Sequence, residues 1–260
     1  MAGKIDMAGF DRAGPLPARV ESVIVRVATH AGLQPQASNS CDALSHLAEG
    51  IFLHPEDGPR RQLLHHAKGD IGLAHDLIGT VFPRVARRLE EGWNHDRLSF
   101  AEVTIAATRL QDAVRNLGAR HAPSRGPASL VMIVPAWEQH TLPAFLASEH
   151  MRRLGVPVRL LSGVRTDELL ALTARAAPDA ILVSAGSYRS VARMPDLFTA
   201  LRRAIPRAVP IVLGGPAMEA NFAECHRAGA DLATSNLGEA LRYCDLDVPV
   251  RIHKGTLCDV

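Results

Sequence analysis

The spacing of apolar residues changes near residue 120 of this 260-residue chain. From Cys41 to about Arg120, apolar positions recur every three to four residues, which is the period of an amphipathic helix. Breaks at HPEDGP and NHDRLS divide this region into four predicted helices: Asp42 to Leu53, PRRQLLHHA, Asp70 to about Glu91, and Ser99 to about Leu117. Four helices with short connections predict a helical bundle.

Two local signals refine these helices. Ser99 followed by Glu102 is the pattern of a capping box, in which each residue satisfies a backbone amide of the other, so a helix should begin there. Pro83 lies inside the third helix, where proline removes a hydrogen-bond donor, and it predicts a kink near Thr80.

The first forty residues are expected to form an N-terminal extension with one helix. Residues 1–16 are rich in Gly, Ala and Pro, and QPQASNS breaks the chain before Cys41. Between them, the apolar residues have helical spacing: Val20, Val23, Ile24, Val27 and Ala28. This helix could dock on a partner, fold back over a ligand, or pack on the bundle itself.

Beyond the linker GARHAPSRGPAS the pattern is strand and helix in alternation, repeated five times. Strands are predicted near 130–135, 157–161, 179–184, 209–214 and 230–234, with helices near 141–154, 166–176, 190–204, 217–228 and 236–242. We therefore expect an α/β fold, with a four-helix bundle cap (41–120), a linker (121–129) and a doubly wound, flavodoxin-like or Rossmann-like parallel sheet (130–260). Right-handed crossovers favour the strand order 2-1-3-4-5.

Composition narrows the class of protein. The chain is 47% hydrophobic but has no uninterrupted apolar run of membrane-spanning length and no apolar signal core, so we expect a cytoplasmic location and no membrane partner. Its formal net charge is only +2, with arginine pairs scattered along the chain, which does not support direct DNA contact. Cys41, Cys225, Cys244 and Cys258 form no C-x-x-C pair and are expected to be reduced thiols.

Polar residues and glycines follow three of the predicted strands. Glu138 and His140 leave the first, Ser184 ends the third, and Gly214 with Gly215 ends the fourth. Ligands of open α/β sheets bind at these carboxyl ends. Glu138 could accept the Nδ1 proton of His140 and leave Nε2 as a metal ligand or base. Taken singly, each feature has an ordinary alternative: a surface loop pair, a helix cap and a tight turn.

Together, the pattern E-x-H-x-x-P, S-x-G and G-G resembles the cobalamin-binding domain, whose members carry D-x-H-x-x-G, S-x-L and G-G at such separations. The resemblance implies that His140 is the lower cobalt ligand, that Glu138 supports it, and that Ser184 bonds the displaced nucleotide tail. Gly214 and Gly215 would let the backbone approach that tail closely. Two positions depart from the pattern: Pro143 replaces glycine, and Gly186 replaces leucine, which would loosen one wall of the tail pocket.

The segment GTVFPRVARRLEEGWNHDRLSFAEVTIAATRLQ resembles the helical cap that precedes the corrinoid domain in methionine synthase, corrinoid methyltransferase proteins and B12-dependent light-sensing regulators. By this resemblance Trp93 is a lid over the cobalt, although it could equally anchor two helices. Glu102 is followed by Val103, so the upper histidine of the light-sensing repressors is missing. An upper ligand from the protein would have to be His95, His30 or His54.

The pattern W-x-x-D-R-L-S-F-A-E-V-T, with A-A-T-R-L-Q and the E-x-H form, most resembles the AerR/PpaA-type antirepressors of photosynthesis genes, over roughly residues 43–244. It implies a light-responsive transcriptional regulator, not an enzyme, that binds hydroxo- or adenosylcobalamin and contacts a repressor protein. The alternatives are a corrinoid methyl carrier that serves a separate methyltransferase, and a protein that kept the fold and lost the vitamin.

Overall fold

The computed structural model of the chain describes residues 17–33, 41–118, 129–220 and 222–246. The predicted loose start at 1–16, most of the linker and Cys258 lie outside these residues, so the division at 121–129 stays a prediction. Within the described ranges, none of the helices has both the length and the hydropathy that crossing a bilayer requires.

Helices make up the N-terminal part of the described chain. They are α1 (Ala18–His30), α2 (Cys41–Leu53), α3 (Gly58–Gly69), α4 (Ile71–Asp76), α5 (Phe82–Asn94) and α6 (Phe100–Gly118). A π-helical turn at Leu77–Val81 joins α4 to α5, so these three segments form the helix predicted from Asp70. The interruption lies directly before Pro83, which cannot donate a backbone hydrogen bond to the preceding turn. The irregularity predicted near Thr80 is therefore present as a π-helical turn.

The capping box at the start of α6 is confirmed. The backbone N–H of Ser99 donates to Oε2 of Glu102 over 2.8 Å, and the N–H of Glu102 donates to Oγ of Ser99 over 3.2 Å. These two bonds satisfy amides that have no partner within the helix and fix its first residue.

The helix α1 packs on the other helices. Its five predicted apolar residues are all buried, in the same core as Leu47, Leu63 and Phe82. Of the three possibilities for this helix, packing on the bundle is therefore the one that the structure has. The core also includes Phe145 and Leu146 from the second half of the chain, so the helical layer is joined to the α/β part by apolar contact.

The described residues of the second half form a five-stranded parallel sheet in the order β2-β1-β3-β4-β5. The strands are β1 (Leu130–Val134), β2 (Val158–Ser162), β3 (Ala180–Ser184), β4 (Ile211–Gly214) and β5 (Leu232–Ala233). Every residue of β1 and β3 is buried, as expected for strands covered on both faces. The predicted fold class and strand order are confirmed.

The connecting helices are α7 (Leu142–Arg153), α8 (Thr166–Ala176), α9 (Tyr188–Val191), α10 (Met194–Ala204), α11 (Ala217–Ala220), α12 (Phe222–Arg227) and α13 (Leu237–Tyr243). The predicted helix 190–204 is divided, because Pro195 opens α10 and cannot continue a preceding helix. Helices α7 and α13 cover one face of the sheet, and α8, α10 and α12 cover the other.

Candidate functional site

The predicted site residues meet at one edge of the sheet. Ser184 and Gly214 are the last residues of β3 and β4 and are direct neighbours in the sheet register. Glu138 and His140 lie in the connection that leaves β1, the neighbour of β3. The crossover that leaves β1 runs through α7 on one face of the sheet, and the crossover that leaves β3 runs through α10 on the other. This edge is therefore the switch point at which doubly wound sheets bind ligands.

The carboxylate of Glu138 organises the connection after β1. The residue is only 5% exposed. Its Oε1 accepts hydrogen bonds from Nδ1 of His140 (2.8 Å) and from the backbone N–H of His140 (2.7 Å). Its Oε2 accepts the backbone N–H of Gly186 over 2.7 Å, which ties this connection to the one that follows β3. The carboxylate thus has three N–H donors and a fixed orientation.

These contacts set the charges of the pair. Burial by itself would raise the pKa of Glu138, but the hydrogen bonds from His140 and from the Gly186 amide outweigh it and lower the pKa to about 2. The hydrogen bond to Glu138 raises the pKa of His140, against the opposite effect of partial burial. With Nδ1 donating to a carboxylate, Nε2 is the ring nitrogen left to bind a ligand, and the His140 side chain is 55% exposed.

The turn that carries Glu138 and His140 is held in place by a backbone hydrogen bond and by packing of Trp137. The N–H of Glu138 donates to the Pro135 carbonyl over 2.9 Å, and the Trp137 ring packs against the core on the α10 face of the sheet. The guanidinium of Arg193 lies 4.1 Å from the centre of that ring. The position of His140 is therefore fixed by its own turn as well as by Glu138.

Gly186 has a different place from the one expected. The sequence pattern put it in a wall of the tail pocket, but the pocket lining in the described residues runs through Ser184 and Gly214 and does not include it. Instead, a Cβ atom on Gly186 would lie 2.4 Å from Cβ and 2.6 Å from Nδ1 of His140. The expectation was wrong because the connection turns after Ala185 toward the imidazole, away from the pocket.

A pocket opens beside the Glu138–His140 pair, between the sheet and the helices α7 and α13. It encloses about 670 Å³, part of which is open to solvent. Its floor and walls are largely apolar, with Met132, Leu182 and Val212 from the strands and alanines from the helices. The polar residues Ser184, Thr234, Ser235 and Asn236 lie at its strand-end side. A largely apolar cleft with a few polar groups at one side is typical of a small-molecule site.

Both glycines of the G-G pair are needed for close packing at the pocket. Gly215 has φ +106°, and a Cβ there would lie 2.6 Å from the backbone oxygen of Ala185 and 3.1 Å from Oγ of Ser184. A Cβ on Gly214 would lie 3.2 Å from the backbone oxygen of Thr234. The pair therefore lets β3, β4 and β5 end close together around the Ser184 hydroxyl.

Pro143 lies in the first turn of α7, where a proline is tolerated, and it lines the pocket.

The segment after the last strand supplies residues that the sequence pattern did not single out. Asn236 caps α13 by accepting the N–H of Glu239 over 3.0 Å, and the Thr234 hydroxyl accepts the Asn236 N–H over 3.0 Å. The run T-S-N before an apolar segment is the signal that would have indicated this cap.

The helical layer meets the site through α5 and α6. The hydroxyl of Thr141, next to His140, donates to Oε1 of Gln111 on α6 over 2.9 Å. Glu90 on α5 is close enough to His140 to contribute to its raised pKa. Trp93, one turn further along α5, is 45% exposed and makes an edge-to-face contact with Phe100, with ring centres 5.8 Å apart. Its role as a lid stays a prediction.

The candidate upper ligands make local contacts, and their role as upper ligands stays a prediction. Nδ1 of His95 hydrogen-bonds the carbonyl of Glu91 over 2.8 Å, and Nδ1 of His54 accepts the backbone N–H of Glu56 over 3.2 Å. His30 ends α1 in an exposed position. Across the described ranges, no three His, Cys, Asp or Glu side chains are grouped so that they could hold a metal ion without a further ligand.

The fold is a doubly wound α/β sheet with a helical layer, and a solved corrinoid protein shares it. The monomethylamine corrinoid protein of Methanosarcina barkeri superimposes with a TM-score of 0.60 and 16% sequence identity, over 76% of this chain and 95% of that one. At this identity the likeness concerns the fold alone.

Sequence comparison identifies the family. The chain is 33% identical over 166 residues to the uncharacterized 20.5 kDa protein in the bchF-crtJ intergenic region of Rhodobacter capsulatus, covering 62% of this chain and 86% of that protein. It belongs to the family of that protein. It is also 34% identical over 91 residues to the HTH-type transcriptional repressor CarH of Myxococcus xanthus, which is 35% of this chain and only 30% of CarH. No family model matches the chain.

Proposed function

We propose that this chain binds cobalamin at the strand-end edge, with Nε2 of His140 as the lower cobalt ligand. The observation that carries the proposal is the 2.8 Å hydrogen bond between Nδ1 of His140 and the buried Glu138. Such a bond fixes the tautomer and orientation of the ring and makes Nε2 more basic, as carboxylates do behind metal-bound histidines. A neutral imidazole is a suitable ligand for a first-row transition metal.

The pocket beside His140 fits the rest of the group. Its apolar walls suit a flat aromatic base, and its polar residues lie at one side, as in small-molecule sites. The hydroxyl of Ser184, a residue that is only 5% exposed, is placed to hydrogen-bond a polar tail at the pocket's edge. Gly214 and Gly215 keep side chains away from the Ser184 hydroxyl and from the backbone at Thr234 and Ala185.

We further propose that the chain is a transcriptional regulator that uses bound cobalamin, and that it is not an enzyme. The partial match to a repressor, CarH, supports a regulatory role. Cobalamin, in its hydroxo or adenosyl form, supplies a cobalt centre whose upper ligand can be exchanged on illumination. We propose that the helical layer would lie differently over the edge in the two ligand states, and that a surface which contacts a repressor protein would change with it.

Pigment retention tests the cofactor. Purified protein is mixed with hydroxo-, methyl- and adenosylcobalamin in darkness and in light, desalted, and scanned in the visible range. The wild type should keep the red pigment, and His140→Ala should lose it with unchanged far-UV circular dichroism. His65→Ala, a change at an exposed histidine of α3, is the matched control and should keep the pigment. A wild type that stays colourless with every corrinoid would refute the proposal and would favour a fold that has lost the vitamin.

The alternative is a corrinoid methyl carrier, which the fold likeness to the monomethylamine corrinoid protein favours. The two roles differ in their response to light and in their effect on transcripts. We expect a regulator to retain adenosylcobalamin differently in light and darkness, and its deletion to change transcript levels in a way that wild-type but not His140→Ala complementation restores. Equal retention in light and darkness, unchanged transcripts and rapid loss of the methyl group to an added thiol would instead support the carrier.

A further inference from the structure

We propose that Gly186 is a positioning residue for His140: its missing side chain and its amide N–H together hold the imidazole with Nδ1 on Glu138, which leaves Nε2 to bind a ligand. That this ligand is cobalt rests on the proposed function, whereas the orientation of the ring can be measured on the protein alone.

The first part of the argument is steric. A Cβ on residue 186 would lie 2.4 Å from Cβ, 2.5 Å from Cγ and 2.6 Å from Nδ1 of His140. These are the atoms nearest the His140 backbone, so rotating the end of a flexible side chain would not relieve the overlap. The backbone of Gly186 does not have the positive φ that favours glycine. Space for the imidazole is therefore the reason that a glycine is needed here.

The second part is the hydrogen bond. The N–H of Gly186 donates to Oε2 of Glu138 over 2.7 Å, while Oε1 of the same carboxylate accepts Nδ1 of His140 over 2.8 Å. Because a carboxylate is planar, fixing one oxygen restricts where the other points. Gly186 therefore acts on His140 through the carboxylate as well as through direct contact.

The connection after β3 has little freedom to move away from an added side chain. The N–H of Ala185 donates to the Gly214 carbonyl over 2.9 Å, and the Ala185 carbonyl accepts the N–H of Ala217 over 3.0 Å. Ala185 is fully buried. A side chain at 186 must consequently displace His140 and its turn, and this displacement would break the bonds to Glu138.

The same geometry explains the departure from the S-x-L pattern in this chain. A leucine at position 186 would occupy the space that the His140 ring fills in this structure. The glycine and this position of the imidazole therefore belong together in this chain.

Gly186→Ala tests the proposal first without any corrinoid. In protein labelled with ¹⁵N-histidine, we expect the wild type to give a strongly hydrogen-bonded Nδ1–H signal for His140 and a nuclear Overhauser effect between its ring and the Gly186 α-protons. Both should be lost in Gly186→Ala. Gly58→Ala is the matched control, because a Cβ there meets no atom within 4 Å, and it should leave both signals unchanged.

The second measurement uses cob(II)alamin. In electron paramagnetic resonance, ligation by ¹⁵N-histidine splits the cobalt lines into doublets, whereas the cofactor's own ¹⁴N base gives triplets. We expect doublets for the wild type and for Gly58→Ala. Gly186→Ala should lose the doublets and bind on the order of 10- to 100-fold more weakly, the usual effect of removing support behind a metal ligand.

The outcomes separate the two proposals. If Gly186→Ala keeps the Nδ1–H signal or the doublets, the positioning role is refuted. If the wild type binds no corrinoid but Gly186→Ala still releases the ring, the positioning role stands and the cobalamin proposal fails. Should Gly186→Ala not fold, His140→Gly in the same chain removes the overlapping atoms and should restore a cooperative unfolding transition; a double variant that also fails to fold would refute the steric argument.

Discussion

On one face of the sheet α10 places Leu197, Phe198 and Leu201 against the strands. On the other face α7 and α13 place alanines along the pocket and larger residues, such as Met151 and Leu241, in the rest of the core. The strands themselves are similar on both sides, since β1 and β3 alternate aliphatic residues between the two faces. The large side chains of α10 are all buried in a continuous core. Ala144, Ala147 and Ala240 line the pocket.

This difference shows that the pocket is made by side-chain size on the covering helices and not by a change in the sheet. A helix that packs small residues against a sheet leaves space that large residues would fill. The pocket face also has a second layer, because α7 contributes Phe145 and Leu146 to the core of the N-terminal helices. The proposed binding of cobalamin and the proposed response of the helical layer to it therefore both involve α7.

The largest effect on stability should come from the face of the sheet that α8, α10 and α12 cover, which we call the filled face. Phe198→Ala removes a fully buried ring and should lower the free energy of unfolding by about 3–5 kcal/mol, because the surrounding core relaxes only partly into the cavity. Denaturant unfolding followed by circular dichroism measures the change. Corrinoid binding by the protein that remains folded should be close to that of the wild type, since α10 does not line the pocket. A loss of binding equal to that of His140→Ala would contradict the separation of the two faces.

The second largest effect on stability should come from low pH, through a histidine of α7. Burial, with a smaller contribution from Arg153, lowers the pKa of His150 from 6.5 to about 4. Between these values the unfolded chain takes up the proton more readily than the folded one, so stability is full above pH 6.5 and falls as the pH drops toward 4. Because the pKa differs by two and a half units between the unfolded and folded chain, the loss in unfolding free energy should reach about 3 kcal/mol.

Unfolding measured at pH 7, 5.5 and 4.5 tests this pH dependence, and His150→Gln should remove most of the slope in this range. The lowered pKa of Glu138, about 2, contributes a separate loss only below about pH 4.5. The buried residues of α10 are all apolar and supply no such group. A slope that survives in His150→Gln would mean that His150 is not its source.

Sequence predicted the sheet well because its strands are short apolar runs followed by turn residues, a pattern that depends on local chemistry. The strand order then placed His140, Ser184 and Gly214 at one edge. The role of Gly186 could not be predicted in this way, because it depends on contact with residues 48 positions earlier in the chain, at Glu138. A glycine's place in a motif gives no information on which side chain lies against it.

The helical layer shows the same limit. The apolar face of α1 was evident from its spacing, but spacing does not indicate what covers such a face, so packing on the bundle was one of three possibilities. Likewise Ala144 and Ala147 read as ordinary helix residues. Only their position opposite Met132 and Leu182 shows that they line a pocket.

Gly215→Ala should have an intermediate effect, at the end of β4 where the pocket begins. Its φ of +106° is unfavourable for alanine, and the added Cβ would lie 2.6 Å from the Ala185 carbonyl oxygen. We expect a loss of about 1–3 kcal/mol in unfolding free energy, typical of a non-glycine residue in such a conformation. Gly229→Ala is the control, because its φ is also positive, at +96°, but a Cβ there meets no atom within 4 Å. If the two variants lose equal stability, backbone conformation alone explains the effect and the close approach to Ala185 does not contribute.

Ala147→Leu should have the smallest effect on stability and a large one on binding. The residue is partly exposed and faces the pocket, so a leucine there can extend into open space and should change the unfolding free energy by less than about 1 kcal/mol, given the similar helix propensities of the two residues. Three added carbons would fill part of the space proposed for the nucleotide tail, and pigment retention should fall sharply. Ala171→Leu makes the same change at an exposed position of α8, on the filled face, and should alter neither property. Undiminished retention in Ala147→Leu would mean that the tail lies elsewhere, since the pocket is then narrower while His140, Glu138 and Gly186 are unchanged.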